Sequence, residues 1–296
     1  MSKKITILLS IGLLASLPPQ AWSKADYYTP ENIHRFADWL YHQGDYLRAA
    51  GEYQRYIFSA NLSVFPDSLL YKIGLCYQLG DMPKRAKIYY QRIIDHHSQS
   101  ELSDRAQYQI ARIYFDLGKY DESISYIETK VRRLASPQMR LRMNLLLGCN
   151  YLFQKRWKLA HHHLASLLSS HKNSQLDSLI IGLNDFALQG ERLPYKSGTL
   201  AGLLSTTIPG MGKLYVGRPT DGLYSFILVG LTGWQAYEGF HRDGTHSSKG
   251  WIYGSLGAIF YLGNIYGSVV AAKIHNEKVE DNLLQKIRVQ LNWDIP

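Results

Sequence analysis

Shifted against itself by 37 residues, the sequence brings the same residue types into register four times. One series, Ala37, Gly74, Ala111 and Gly148, is always small. One residue earlier stand Phe36, Ile73, Ile110 and Leu147, all apolar, and three residues later Leu40, Tyr77, Tyr114 and Tyr151, all large. A second small series, Ala49, Ala86, Ser123 and Ala160, is followed at four residues by Tyr53, Tyr90, Ile127 and Leu164. Between the two halves lie turn signals: Gly44-Asp45, Gly80-Asp81, Gly118-Lys119 and Lys155-Arg156. A repeat of this length is one supersecondary unit. Large residues three and four apart form one apolar stripe per helix. Small residues opposite them let a second helix approach closely, and a central glycine ends the first helix in a left-handed turn. A single helical hairpin cannot bury its stripe, so neighbours stack into a solenoid.

The spacing Ala37, Leu40, Gly44, Tyr46, Ala49, Tyr53, seen again as Ala111, Tyr114, Gly118, Tyr120, Ser123, Ile127, resembles the tetratricopeptide repeat. The resemblance covers about residues 30–174. It departs in the second copy, with Asp81 at the turn-glycine place and Pro83 at the tyrosine place, and in the fourth, with Lys155 and Trp157. The family's usual period is shorter by three residues, which places the surplus in inter-repeat loops at Asn61 to Pro66, Ser98 to Ser103 and Ser136-Pro137. An amphipathic helix over about Gln175 to Leu188 is expected to cap the open end.

The resemblance implies a concave groove lined by the first helix of each hairpin. Carried over, this gives His34, Asp38 and Tyr41; Tyr71, Leu75 and Gln78; Arg105, Tyr108, Arg112 and Phe115; and Arg142, Leu145, Cys149 and Leu152. The set Tyr71, Arg105, Tyr108, Arg112, Phe115 and Arg142 combines aromatic area with guanidinium forks that match carboxylates. It reads as a groove for an extended acidic or carboxylate-bearing segment. The competing reading is solvated arginines and tyrosines packed between repeats.

Other conspicuous residues point to no chemistry. Consecutive residues point about 100° apart on a helix, so His161-His162-His163 cannot converge on a metal and reads as solvated surface. Imidazolium at His96-His97 complements a helix C-terminus. Cys76 and Cys149 are expected as reduced core thiols, because helical repeats set their backbones too far apart to bridge. No Ser-His-Asp, metal or phosphate-loop arrangement occurs in the repeats, so neither an enzyme nor a cofactor is expected.

The N-terminus reads as a secretory signal over residues 1–23. Lys3 and Lys4 precede the apolar run Ile5 to Leu17, and Ala21-Trp22-Ser23 supplies small residues for cleavage. Losing Lys3 and Lys4 takes the formal net charge from +9 to +7. In an exported chain that balance suits anionic lipid or acidic protein surfaces, and no nucleic acid is expected as a partner.

Composition changes near residues 190–196. Gly222 to Phe240, with only Glu238 charged, and Gly250 to Ala272, uncharged, are each long enough to cross a bilayer. Gly250/Gly254 and Gly263/Gly267 are small-xxx-small pairs suited to close helix packing. Trp234, Tyr237, Trp251 and Tyr253 suit interfacial belts. A buried hairpin of a soluble domain is the competing reading. Before these spans, an apolar stretch broken at Pro209-Gly210-Met211-Gly212 is expected to lie at the interface or to re-enter. The run Gly212, Tyr215, Gly217, Arg218, Gly222 resembles the entry to two-span domains of the TM2 type, which implies architecture and no activity. Gln235 and Asn264 inside the spans are functional candidates, or else join the two helices by an amide hydrogen bond.

The expected organisation is all-α. A signal peptide (1–23) precedes four TPR-like repeats with a capping helix (24–190) and a Pro/Gly-rich joint (191–221). A transmembrane hairpin (222–272) and a polar tail (273–296) follow. A signal places the repeats in the periplasm against an inner membrane, whereas Lys213, Arg218, Lys273 and Lys278 outside the Arg242 to Lys249 loop favour the opposite orientation. The expected function is a membrane-tethered scaffold that binds an envelope protein, with homo-oligomers compatible. The rival is a small transport or lipid-interacting protein whose function resides in the tail.

Overall fold

The computed structural model describes residues 28–62, 65–170 and 176–291. The predicted signal lies outside them. Among the described residues there are thirteen α-helices: α1 Pro30–His42, α2 Tyr46–Ser59, α3 Asp67–Leu79, α4 Pro83–His96, α5 Glu101–Asp116, α6 Tyr120–Lys130, α7 Pro137–Phe153, α8 Trp157–Ser170, α9 Asp177–Glu191, α10 Gly198–Thr207, α11 Met211–Tyr215, α12 Pro219–Asp243 and α13 Ser248–Gln290. Among the first eight, α1 with α2, α3 with α4, and α7 with α8 pack as the helical hairpins that the spacing predicts.

The 37-residue period reappears in the backbone. Gly44 (φ 79°), Asp81 (57°), Gly118 (70°) and Lys155 (60°) all take the left-handed conformation at the hairpin turn. The two departures from glycine therefore keep the turn. Aspartate tolerates this region, whereas lysine does so at a cost of about 1 kcal/mol. Pro83 sits at the first position of α4, where no backbone N–H is needed. Thr29 and Ser100 cap α1 and α5 by accepting from the amides of Asn32 and Leu102.

Two compact units divide the chain: residues 28–119 with 128–140, and residues 120–127 with 141–291. In the first, Ala37, Ala49, Tyr53, Ile73, Ala86, Tyr90 and Ile93 are wholly enclosed. The small residues work as the spacing predicts, since a Cβ at Gly74 would stand 2.7 Å from the Tyr90 ring. The second unit repeats this between α7 and α8, where a Cβ at Gly148 would stand 2.6 Å from Leu164. Here α9 packs on α8.

Beyond α9 the chain turns through 192–197 into α10, whose N-cap Ser197 accepts from the Leu200 amide. Helices α10 and α11 form a short bent hairpin against α13, and α12 and α13 form a long antiparallel pair. Helix α13 does not stop at Ala272. It continues to Gln290, so the expected polar tail is helical up to that residue. Its last turns bury Leu283, Leu284, Ile287 and Leu291.

Candidate functional site

The predicted groove residues of the first unit lie in a hydrogen-bonded face. The Tyr90 hydroxyl donates to Gln78 Oε1 (2.9 Å), Gln78 Nε2 to Gln109 Oε1 (3.2 Å), and Gln109 Nε2 to the Tyr71 hydroxyl (3.2 Å). This ladder links α3, α4 and α5. It leaves Tyr71 half-buried, and the α5 face carrying Tyr108 (5% exposed) and Arg112 (6%) is enclosed. Arg112 also pairs with Asp116 at 3.6 Å, and Arg105, which is exposed, pairs with Glu101 at 2.9 Å. Phe115 is half-buried, as is Arg142 in the second unit. The members open to solvent are thus Arg105 and parts of Tyr71, Phe115 and Arg142.

At the N-terminal end of the same unit, Asp38 of α1 gathers the Tyr53 hydroxyl from α2 and the Lys72 ammonium (2.6 Å) from α3. Burial pushes the Asp38 carboxyl up, but the hydrogen bonds from Lys72 and Tyr53 outweigh it and hold it below the ordinary carboxylate range. Two further clasps recur with the period. Asp67 accepts from the Ser100 hydroxyl, and Asp104, 37 residues on, accepts from the Ser136 amide at 2.7 Å. The recurrence of aspartate at 67 and 104 was a readable signal for them.

Both cysteines are free and buried, and burial pushes the Cys76 thiol up to about 12. The histidine run is not plain solvated surface. His161 Nδ1 bonds Asn184 Oδ1 (2.9 Å) and His163 Nε2 bonds the Asn144 carbonyl (2.8 Å), while His162 is exposed. A run on a helix touches both of its flanking neighbours, so alternate members find partners. Among the described residues no group of three His, Cys, Asp or Glu side chains is placed to hold a metal.

The C-terminal helices have the opposite distribution of polarity. Enclosed among them are Ser205, Thr232, Ser225, Asn264 and Ser268, with Ala201, Ala236, Ala271 and Ala272. Facing outward are Leu203 on α10, Leu223, Phe226, Leu231 and Trp234 (64% exposed) on α12, and Ile252, Ile259, Leu262 and Tyr266 (73%) on α13. By length and composition α13 is the one described helix long and apolar enough to cross a membrane. At 25 residues α12 has the length, but Tyr224, Gln235, Tyr237 and four glycines dilute its apolarity.

The polar interior is mutually satisfied. Asn264 Oδ1 accepts from the Gly210 amide (3.1 Å), and its Nδ2 donates to the Ser205 carbonyl (3.3 Å). Ser205 Oγ lies 2.7 Å from Ser268 Oγ and accepts from the Gly212 amide at 3.0 Å. Asn264 therefore does not join the two long helices, as an amide inside a span suggested. It secures the break between α10 and α11, whose free backbone groups need partners. Gly210 takes φ 87° there, and a Cβ on it would strike the Gly222 carbonyl. Pro209 and Gln235 are half-buried. The small-xxx-small pairs divide. Gly250 abuts the Phe240 ring and the backbone of Gly239, with Gly254 one turn on, whereas a Cβ at Gly263 meets open space and one at Gly267 meets the Lys213 stem.

The distal end of α13 closes on the last hairpin. Lys155, at the left-handed turn between α7 and α8, gives its ammonium to Glu280 (2.6 Å) and lies 3.6 Å from Asp281. Burial would lower that lysine's pKa, but the two carboxylates raise it. Glu280 also accepts from the Tyr195 hydroxyl at 2.9 Å, which in turn takes the Trp157 indole N–H at 3.2 Å.

Residues 68–100, which comprise α3 and α4 almost entirely, match the family model of the tetratricopeptide repeat. This is the copy with Asp81 and Pro83 in place of the expected glycine and tyrosine. No curated protein matches the chain. Among solved structures the chain is similar to the C-terminal part of a TPR repeat-containing protein from Cytophaga hutchinsonii. That match has 16% identity, covers 86% of this chain and 88% of the other, and has a TM-score of 0.46. Residues 68–100 thus carry one repeat of a type that serves in protein-interaction scaffolds.

Proposed function

We propose that this protein is a membrane-tethered scaffold that holds a partner protein in a bacterial cell envelope. The single observation that carries the tether is the inverted polarity of α10–α13: large apolar side chains outside, small and polar ones inside. In water an apolar surface of this extent is unfavourable, whereas in hydrocarbon it costs nothing and only the backbone and polar groups need internal partners. Helices α12 and α13 serve as the two spans. The Lys155–Glu280 pair supports placing the last hairpin and the C-terminal end of α13 on one side of the bilayer. With the predicted signal, that side is the periplasm and the membrane is the inner one.

The partner-binding role belongs to the repeats. Arg105, with the accessible edges of Tyr71 and Phe115, offers charge and ring surface to an extended acidic or carboxylate-bearing segment, with Tyr108 and Arg112 as support beneath. Arg142 is a separate contact within its own unit. Ser205, Asn264 and Ser268 bond one another and the backbone of the α10–α11 break, so the transport reading gains no support from them.

The experiment has two arms. Membranes from cells expressing the full chain are washed with alkaline carbonate, and the protein is expected to stay in the pellet; release into the supernatant sinks the tether. Photocrosslinking from position 115 in the same cells is expected to give one dominant partner, lost on Arg105→Glu. An unchanged crosslink pattern in a charge-reversed variant at the neighbouring Glu101 and Arg105 positions removes the groove.

A further inference from the structure

One end of the apolar module is basic and the other is neutral. At the Ala272 end stand Lys196, Lys213, Arg218, Lys273 and Lys278 against Asp221 and Glu277. At the loop end Glu238 takes both Arg242 (2.7 Å) and Lys249 (2.8 Å), leaving the charges balanced with Asp243.

The basic end has an ordered centre. Helix α11 closes in a turn where the Gly217 amide donates to Leu214 and the Arg218 amide to the Lys213 carbonyl (2.9 Å), with Gly217 left-handed at φ 81°. That turn brings the Lys213 and Arg218 backbones together. The Lys213 stem passes over α13 at Gly267, where a Cβ would lie 3.6 Å from its Cε. Its ammonium ends 2.7 Å from Ser225 Oγ, whose own proton goes to the Asp221 carbonyl (2.9 Å). The ammonium thus rests on a neutral hydroxyl while Asp221 pairs with Arg218 (2.8 Å). Lys196 completes the group: its ammonium lies 4.7 Å from the centre of the Tyr215 ring, and Asn276 fixes its backbone through both N–H and C=O. A half-buried ammonium beside hydrocarbon calls for a counter-charge, and ionisable groups at such depth mark functional sites.

We propose that the Lys213–Arg218 turn, with Lys196 beside it, binds the phosphodiester headgroup of an anionic phospholipid in the leaflet at the Lys273 end of α13. The inference rests on the membrane reading above. The lipid's acyl chains would lie along the outward apolar faces of α10 and α12, and its phosphate would receive the N–H groups that Ser225 and Asp221 leave available. The loop end lacks such a group, because its cations are already neutralised by Glu238.

The test uses the purified full chain in neutral detergent, titrated with phosphatidylglycerol or phosphatidylcholine, with retained lipid counted by native mass spectrometry. Phosphatidylglycerol is expected to be retained in preference. Lys213→Gln should weaken its retention about fivefold, the effect of one basic residue at an anionic surface. Lys213→Arg should preserve it, and Arg242→Gln at the loop end should leave it unchanged. Equal retention of both lipids, or equal losses in Lys213→Gln and Arg242→Gln, overturns the site. Inorganic phosphate that displaces the lipid at millimolar concentration reassigns the group to a soluble anion and overturns the lipid. Flotation with vesicles separates this from the parent reading. A chain that floats with vesicles of both compositions without preference loses only the headgroup site. A chain that stays in solution without detergent and floats with neither loses the tether as well.

Discussion

The repeats and the C-terminal module use tyrosine, serine and glycine in opposite ways. In the first unit Tyr53 and Tyr90 are wholly enclosed and charged residues such as Arg105 point outward. In the module Tyr224, Tyr237 and Tyr266 are outside while Ser205, Ser268 and Asn264 are enclosed. Glycine serves the first region by making room for a ring, as Gly74 does for Tyr90, and the second by letting backbones touch, as Gly239 does for Gly250. Under the proposed tether, the two arrangements answer to two different solvents. Water rewards enclosing large apolar side chains, and hydrocarbon rewards enclosing anything with an unsatisfied hydrogen bond.

The largest effect is expected from one member of a matched pair of truncations. Tyr90→Ala should destabilise the full chain by about 3–5 kcal/mol in a denaturant or thermal melt, the usual cost of emptying a large aromatic site. Tyr266→Ala should leave the melt within about 0.5 kcal/mol, as substitutions outside a packed core do. Similar costs for both would mean that Tyr266 is packed against something and that the polarity of the module is not inverted.

A middle-sized effect is expected at the polar interior. Asn264→Leu removes the partners of the Gly210 amide and the Ser205 carbonyl together, at about 1–3 kcal/mol for each buried group left unmade. Limited proteolysis of the full chain in neutral detergent should then cut near Ile208 to Gly212, where the wild type is expected to resist. Unaltered resistance would show that the α10–α11 break does not depend on this side chain.

Smaller effects still are expected at the repeat turn. Gly118→Ala should cost about 1 kcal/mol, because a Cβ is disfavoured at that left-handed position. Lys155→Gly relieves a similar strain but gives up the pair with Glu280, so the two contributions should cancel to within about 0.5 kcal/mol. A loss well above that in Lys155→Gly would make the contact with α13 the dominant contribution.

Much of this architecture was legible because it is local and periodic. The 37-residue spacing points to Gly44, Asp81, Gly118 and Lys155 as equivalent, and all four share one backbone conformation. The same spacing relates Asp67 to Asp104, but their role depends on Ser100 and Ser136 in the following hairpin, a pairing that no single-helix pattern displays. The groove was half legible. Helical position identifies which side chains share a face, but not that the Gln78–Gln109 ladder would draw α3 and α5 together and leave Tyr108 and Arg112 enclosed. Asn264 stood out as a polar residue in an apolar run, yet its partners lie 54 and 59 residues away. The end of α13 was the plainest omission. Lys273 to Asp281 reads as a polar tail, although Leu283, Leu284, Ile287 and Leu291 carry a helical stripe that continues the span.

That continuity bears on the proposed tether. A Pro/Gly-rich joint alone would let the repeats swing freely over the bilayer, like a float on a line. Helix α13 instead runs for 43 residues, about 65 Å at 1.5 Å per residue, from the loop end of the module to the last hairpin, without a break. It works as a spar, clamped at its far end by Lys155, Tyr195 and the enclosed leucines. On the proposed tether, a cargo on the last hairpin would keep a fixed height and heading above the bilayer, and a tilt or twist of the span would reach that hairpin directly as torque.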